Sequence, residues 1–311
     1  MKILVTGGFG FIGGHTTERL LRDGHQVRVL DLASGDPGGM RKKLAGGGAD
    51  IVAGDIQDPD TCRKSCEGMD VVIHHAGIAS IARTIEDPVE ANEVNIGGTR
   101  NLLKASVDAG VKRFIFSSSA KVYGSRNVFP SSETAIPNPE TPYAATKIVG
   151  ERLCRMFHEN SGIETISLRY FSVYGPRQNF DYGYIGPLIR SAAKGERPLL
   201  TGHDNVERDF TYIDDVIAVI AKLVDAPGMK LEVFNVGSGR SHTLKETVSV
   251  VNMLLEKDIR PEYRELLPGM AEKTLADTSR MKEAIGFACT MSLEKGLART
   301  VEWYTSTKGV L

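Results

Sequence analysis

Thr6-Gly7-Gly8-Phe9-Gly10-Phe11-Ile12-Gly13 decides the fold of this 311-residue chain. Ahead of it, Lys2–Thr6 is a short apolar run that reads as a buried strand. Behind it, Phe11–Arg22 sets Ile12, Leu20 and Leu21 against polar Glu18, Arg19 and Arg22 with helical periodicity. Between a strand and a helix, glycines let the backbone approach a pyrophosphate, and the helix N-terminus offers it N–H groups and partial positive charge. Gly8-x-Gly10-x-x-Gly13 has the dinucleotide spacing, and Gly7-x-x-Gly10-x-x-Gly13 has its variant. Gly7, Phe9, Gly10, Phe11, Ile12 and Gly13 are therefore the expected phosphate cradle.

Asp31 ends the next apolar run, Gln26–Asp31. A carboxylate there accepts from both ribose hydroxyls and repels a 2′-phosphate. No arginine follows in Leu32-Ala33-Ser34, so NAD is expected over NADP. The alternation continues with strand-like runs at 51–53, Val71–His74, 113–117 and 165–168. Polar helical stretches lie near 58–67 and 86–109, and another helix begins near Pro142. Such alternation implies parallel βαβ units, hence an α/β fold with a doubly wound Rossmann sheet. After Gly175 the elements shorten and proline and glycine become frequent. The expected division is a dinucleotide-binding domain at 1–175 plus about 206–239, and a smaller α/β substrate lobe at about 176–205 plus 240–311.

Composition excludes several classes. Hydrophobic residues make 41% and charged residues 25%, which rules out disordered, collagen-like and coiled-coil chains. Lys+Arg 38 against Asp+Glu 39 gives a formal charge of −1, which argues against a strong nucleic-acid binder. No run reaches the ~18 apolar residues of a membrane span. The N-terminal apolar run is too short for a secretory signal. The four cysteines lack zinc spacing and read as free thiols of a reducing cytoplasm. The adjacent His74 and His75 read as structural, so no metal is expected.

Two further stretches carry chemistry. In Thr141-Pro142-Tyr143-Ala144-Ala145-Thr146-Lys147, Thr141 caps a helix and Pro142 takes its first position, so Tyr143 and Lys147 share one face. A phenol must lose about three pKa units to act as a base near pH 7, and a neighbouring ammonium and a cationic nicotinamide both push that way. Phe116-Ser117-Ser118-Ser119-Ala120-Lys121-Val122-Tyr123-Gly124 follows the fifth strand, where ligands of such sheets bind, and sets Ser119 to hold a substrate hydroxyl.

With these motifs the chain resembles, nearly end to end, the extended short-chain dehydrogenases of the NAD-dependent epimerase/dehydratase family, most of all the nucleotide-sugar 4-epimerases. Gly54-Asp55-Ile56, His74-His75-Ala76-Gly77, Asn95, Arg169-Tyr170-Phe171-Ser172-Val173-Tyr174-Gly175-Pro176-Arg177, Arg208-Asp209-Phe210 and Asn235-Val236-Gly237-Ser238-Gly239 carry the likeness. It implies that Asp55 and Ile56 flank the adenine. His75, Ala76, Gly77, Asn95, Ser117, Tyr170, Ser172 and Val173 are implied along the cofactor, with Lys147 on the nicotinamide ribose. Ser119, Tyr143 and Lys147 are implied as catalytic, with Thr84, Ser119, Tyr143, Ser172 and Arg208 toward the substrate and Arg208 on its diphosphate. A homodimer is implied through helices near 86–109 and 143–160.

Relatives that dehydrate carry Asp-Glu after the Ser/Thr, and decarboxylating ones carry Glu. Ala120 and Lys121 stand there instead, which favours C4 epimerisation of a nucleotide sugar, a UDP-hexose or its N-acetyl form, through a 4-keto intermediate. Three positions depart from the family pattern: Ser172 for Asn, Leu267-Pro268-Gly269-Met270 for Arg-x-Gly-Asp, and the small Thr274 at the pocket gatekeeper. They leave the sugar and nucleotide open. A reductase, an epimerase of an atypical sugar and a non-catalytic NAD-binding protein stay as alternatives.

Overall fold

The computed structural model describes residues 1–34, 39–266 and 269–308. The chain opens with β1 (Lys2–Thr6), α1 (Phe11–Arg22), β2 (Gln26–Asp31), α2 (Met40–Gly46), β3 (Asp50–Ala53), α3 (Pro59–Cys66) and β4 (Val71–His74). It continues with α4 (Ile81–Glu86), α5 (Pro88–Asn92), α6 (Gly98–Asp108), β5 (Arg113–Ser119), α7 (Pro142–Ser161), β6 (Glu164–Tyr170) and β7 (Ser172–Tyr174). Then come α8 (Ile185–Ala193), β8 (Leu199–Thr201), β9 (Glu207–Arg208), β10 (Phe210–Tyr212), α9 (Ile213–Asp225) and β11 (Leu231–Val236). Last are β12 (His242–Thr243), α10 (Leu244–Leu255), β13 (Glu262–Arg264), α11 (Ser279–Ile285) and α12 (Leu293–Lys308).

The alternating runs make one parallel sheet, ordered β11-β6-β5-β4-β1-β2-β3. The order reverses between β1 and β4, where Ile3 pairs Val71 on one side and Val27 on the other. Ligands of doubly wound sheets bind at such a switch point. Strand β5 runs two residues beyond the expected 117, which carries Ser118 and Ser119 to its carboxyl end. The helical stretch expected near 86–109 is broken: between α5 and α6 the backbone opens into a wider π-type turn at Glu93–Gly97, which holds Asn95. Leu4, Leu30, Val72, Leu102, Phe114 and Phe116 form a core with Cys62, Cys66 and Cys154. The three cysteines are free, and burial pushes the Cys66 thiol up to about 11.

The chain forms two compact units. The first is Met1–Val122, Pro139–Arg169 and Ile217–Phe234; the second is Tyr123–Asn138, Tyr170–Val216 and Asn235–Leu311. The first unit is smaller than the expected 1–175 plus 206–239. Residues 123–138 leave it because Tyr123 donates to the Asn235 side chain and Ser131 N–H to the Leu275 carbonyl. Residues 172–174 leave because β7 pairs in parallel with β10.

Candidate active site

In the first unit, the glycine turn is shaped by its close contacts. Gly7 has φ +70°, and a Cβ there would lie 2.7 Å from the Ala76 nitrogen; a Cβ on Gly13 would lie 2.1 Å from the Gly7 carbonyl oxygen. A Cβ on Gly8 would lie 2.5 Å from Val29 Cγ1, so glycine is needed at Gly7 and Gly8 alike and the turn carries both spacings. Phe9 N–H donates to Asp31 Oδ2 (2.7 Å), and Gly10 N–H to the Gly7 carbonyl (3.1 Å). That occupies two amides of the expected cradle. The first-turn N–H groups of Phe11 and Ile12 have no intrahelical acceptor and remain for an anion. Asp31 stands beside the turn at the end of β2, as a ribose-binding carboxylate requires. A dinucleotide fits this turn, helix start and acid.

The floor of this turn is a directed set of hydrogen bonds. Thr16 Oγ1 donates to the Ile12 carbonyl (2.9 Å), so it accepts from His75 Nε2 (3.2 Å). His75 Nδ1 then accepts from Ser117 Oγ (2.6 Å). His74 repeats the logic: Thr99 Oγ1 donates to the Asn95 carbonyl and accepts from His74 Nε2 (2.9 Å), and Nδ1 accepts from Thr6 Oγ1 (2.8 Å). Both rings are held neutral. Burial, with the nearby Lys147 charge, drives His74 well below the usual histidine range and His75 to about 3. Among the described residues no group of three or more His, Cys, Asp or Glu could hold a metal.

Helix α7 carries the reactive pair. Thr141 Oγ1 accepts from Ala144 N–H (3.2 Å) and Pro142 takes the first position, as expected. Lys147 is 7% exposed, with Nζ 5.6 Å from the Tyr143 ring centroid and 5.2 Å from that of Phe116. Lys121 N–H donates to Ser119 Oγ (3.2 Å), leaving the Ser119 proton for the Tyr143 oxygen, with which it hydrogen-bonds. Here the structure differs from expectation. Among the protein's own groups, burial raises Tyr143 above an ordinary phenol and outweighs the Ser119 hydrogen bond; burial also lowers Lys147 to about 8. The downward push on the phenol has to come from a cationic ligand.

Behind this pair lies an ion pair that sequence reasoning missed. Arg169 donates to both oxygens of Glu151 (2.9 and 2.7 Å), and Ser118 Oγ to Glu151 Oε1 (2.5 Å); all three are buried. Glu151 sits one turn after Lys147, which was the only local signal.

Other expected residues are placed as follows. Asp55 accepts from Gln57 N–H (2.9 Å), and Ile56 is buried beneath Gly98. Gly77 faces the Asn95 side chain. Both amide hydrogens of Asn95 are used, on the Ile78 carbonyl and Thr146 Oγ1, so it ties loop to helix instead of offering a donor to cofactor. Thr84 corrects the expectation of a substrate ligand: it is fully buried in α4 and donates to the Ile81 carbonyl (2.8 Å).

Tyr170, Ser172, Val173 and Arg208 belong to the second unit. Ser172 N–H donates to the Asp209 carbonyl, and Val173 pairs with Thr211. Thr274 Oγ1 accepts from Asp209 N–H (3.1 Å), so its hydroxyl is anchored to backbone. Leu267 and Pro268 of the departing segment lie outside the described residues. Arg208 is almost wholly buried.

A family model described as the NAD dependent epimerase/dehydratase family matches residues 3–237. The UDP-glucose 4-epimerase of Mycolicibacterium smegmatis is 31% identical, over 98% of this chain and 98% of its own. Two solved structures superpose closely. One is the Thermotoga maritima UDP-glucose 4-epimerase with UDP-glucose: TM-score 0.92, 34% identity, 99% of this chain and 100% of that one. The other is the Bacillus cereus UDP-glucuronic acid 4-epimerase with UDP-glucuronic acid and NAD: TM-score 0.93, 30% identity, 99% and 100% covered.

Proposed function

This chain belongs to the NAD dependent epimerase/dehydratase family, and on that footing we propose that it epimerises C4 of a nucleotide sugar, a UDP-hexose or its N-acetyl form, through a transient 4-keto sugar. The observation that carries the reading is the Ser119–Tyr143–Lys147 set with Ala120 and Lys121 beside it. Redox chemistry has its proton-handling groups, whereas the places for a dehydrating acid and base hold neither.

Bound NAD would supply the hydride acceptor and return the hydride. The Phe11 and Ile12 amides hold its pyrophosphate and Asp31 its ribose. Tyr143 Oη takes the 4-hydroxyl proton and later gives it back. Ser119 donates to that phenol oxygen and orients it. Lys147, on the same face of α7 as Tyr143, holds the nicotinamide ribose. Arg208 binds the substrate diphosphate.

The protein acts as a cytoplasmic homodimer. Val89, Val149 and Met156 support the dimer: they expose 65%, 36% and 46% of their surface on the helices expected to pair. No described helix is long and apolar enough to cross a membrane.

Purified protein assayed without added cofactor on UDP-galactose, UDP-N-acetylgalactosamine, UDP-glucuronate and a GDP-sugar, with bound NAD quantified, tests the reading. One UDP-sugar is expected to turn over. Tyr143→Phe is expected to lose about 10²–10⁴-fold in kcat and keep its NAD. Near-normal turnover in that variant, or NAD-replete protein inert on every UDP-sugar, overturns the assignment.

A further inference from the structure

Strand β5 ends in Ser117-Ser118-Ser119, and each serine has a different partner. Ser117 Oγ donates to His75 Nδ1 (2.6 Å), Ser118 Oγ donates to Glu151 Oε1 (2.5 Å), and Ser119 hydrogen-bonds the Tyr143 oxygen. The Ser118 bond is the shortest of the measured ones, and a hydroxyl on a carboxylate at that length is strong and charge-assisted. From β6, the next strand of the sheet, Arg169 donates to both Glu151 oxygens (2.9 and 2.7 Å). A guanidinium fork on two oxygens fixes the carboxylate's orientation, so Ser118 bonds a stationary acceptor. Ser118, Glu151 and Arg169 are 2%, 9% and 4% exposed.

Tyr143, Lys147 and Glu151 follow at four-residue steps along α7 and lie along one face. Side chains alternate on a strand, so Phe116 and Ser118 share the side of β5 turned to that helix. Phe116 lies against Gly150 and Ser118 against Glu151. After Ser119 the backbone turns into the single 3₁₀ turn Ala120–Tyr123. The Ser119 hydroxyl is therefore aimed by the last peptide units of β5. Those units are pinned at Ser118 to the same helix that carries Tyr143. Adjacent serines thus make two rungs to one helix, a buried one at Glu151 and a reactive one at Tyr143.

We propose that Ser118, Glu151 and Arg169 form a positioning unit that locks the end of β5 against α7 and so holds the Ser119 hydroxyl in line with the Tyr143 oxygen. This rests on the reading above, in which Ser119 and Tyr143 handle the proton of a sugar hydroxyl. The three residues act through Ser119. Misplacing a reacting group by about 1 Å costs up to 10²-fold in rate, so a rung behind the site controls turnover without meeting the substrate.

The test measures kcat, KM and melting temperature of NAD-saturated Ser118→Ala, Ser119→Ala and the double variant. Ultraviolet difference titration of each protein against its own Tyr143→Phe form reads the Tyr143 phenolate with no sugar present. Ser118→Ala is expected to lower kcat about tenfold with KM unchanged, and to move the phenolate titration to higher pH. In the Ser119→Ala background the same substitution is expected to change neither, while it lowers the melting temperature as much as in wild type. Equal losses of kcat in both backgrounds, an unchanged kcat in Ser118→Ala, or an unmoved titration there overturns the proposal, because the network then serves the fold alone. If Ser118→Ala does not fold, Ser118→Cys keeps the volume with a weaker donor and is read the same way. If no sugar turns over, yet the titration moves in Ser118→Ala and not between Ser119→Ala and the double variant, the positioning unit stands and the epimerisation assignment falls.

Discussion

Lys147 holds its ammonium 5.6 Å from the centre of the Tyr143 ring, one helical turn back, with the Phe116 ring 5.2 Å away as its other neighbour. Two aromatic faces stabilise a cation but do not replace water. That is why burial lowers Lys147 from 10.5 to about 8. The buried ammonium therefore destabilises the fold by about 3 kcal/mol below pH 8. The cost is relieved as pH rises from about 8 through 10.5, where the native state has released the proton and the unfolded chain has not. Lys147→Met is expected to be more stable than wild type at pH 7, by an amount that shrinks toward pH 10.5, and to be inactive. Urea melts at the two pH values check it, and an equal difference at both would contradict it.

His74 and His75 predict the acid limb. Each is neutral in the fold with a lowered pKa, so the unfolded chain binds more protons below about 6.5. Stability present above that pH is lost as pH falls toward 3. His75→Gln is expected to lessen the slope by about 1.4 kcal/mol per pH unit in this window. Parallel stability curves for the two proteins between pH 6.5 and 4 would rule this out.

Asp31 is expected to set cofactor choice. Its carboxylate holds Phe9 N–H and has the position for the ribose hydroxyls. Asp31→Ala should weaken NAD about 10–100-fold, as the loss of charged hydrogen bonds implies. The preference over NADP should narrow as well. Titration of NAD-stripped protein with both dinucleotides decides; unchanged discrimination would place specificity elsewhere.

Gly150 lets α7 approach β5. A Cβ there would lie 2.3 Å from Phe116 Cζ, the ring beneath Lys147. Gly150→Ala should cost about 1–3 kcal/mol from overpacking and lower kcat with it, because Phe116 must move. Retained activity in a destabilised variant would show that the ring is not what places Lys147.

Much of this was readable because it is local. The glycine turn, the Thr141 cap and the Tyr143–Lys147 spacing each lie within eight residues, where helix and turn rules act directly. What escaped is long-range. Arg169 meets Glu151 across the β6–α7 packing, and Tyr184 meets Arg208 across 24 positions. Neither has a periodicity to betray it. Thr84 misled for a related reason: a hydroxyl near a site motif says nothing of which way the helix turns it. The phenol misled differently, since charge is visible in a sequence and burial is not.

The sheet's last strand has a consequence for how the molecule is made. Strand β11 covers β6, and Arg113 on β5 donates to the carbonyls of Leu223, Val224 and Ala226. A nascent chain that has reached only residue 170 already carries the glycine turn, Ser119, Tyr143 and Lys147. Yet its outer strand is an open edge, and a buried guanidinium lacks three of its acceptors. The nucleotide half thus closes late in translation, after much of the second unit has been synthesised. A split reporter or minimal fragment cut after β6 should aggregate, whereas one carried through Phe234 supplies the covering strand.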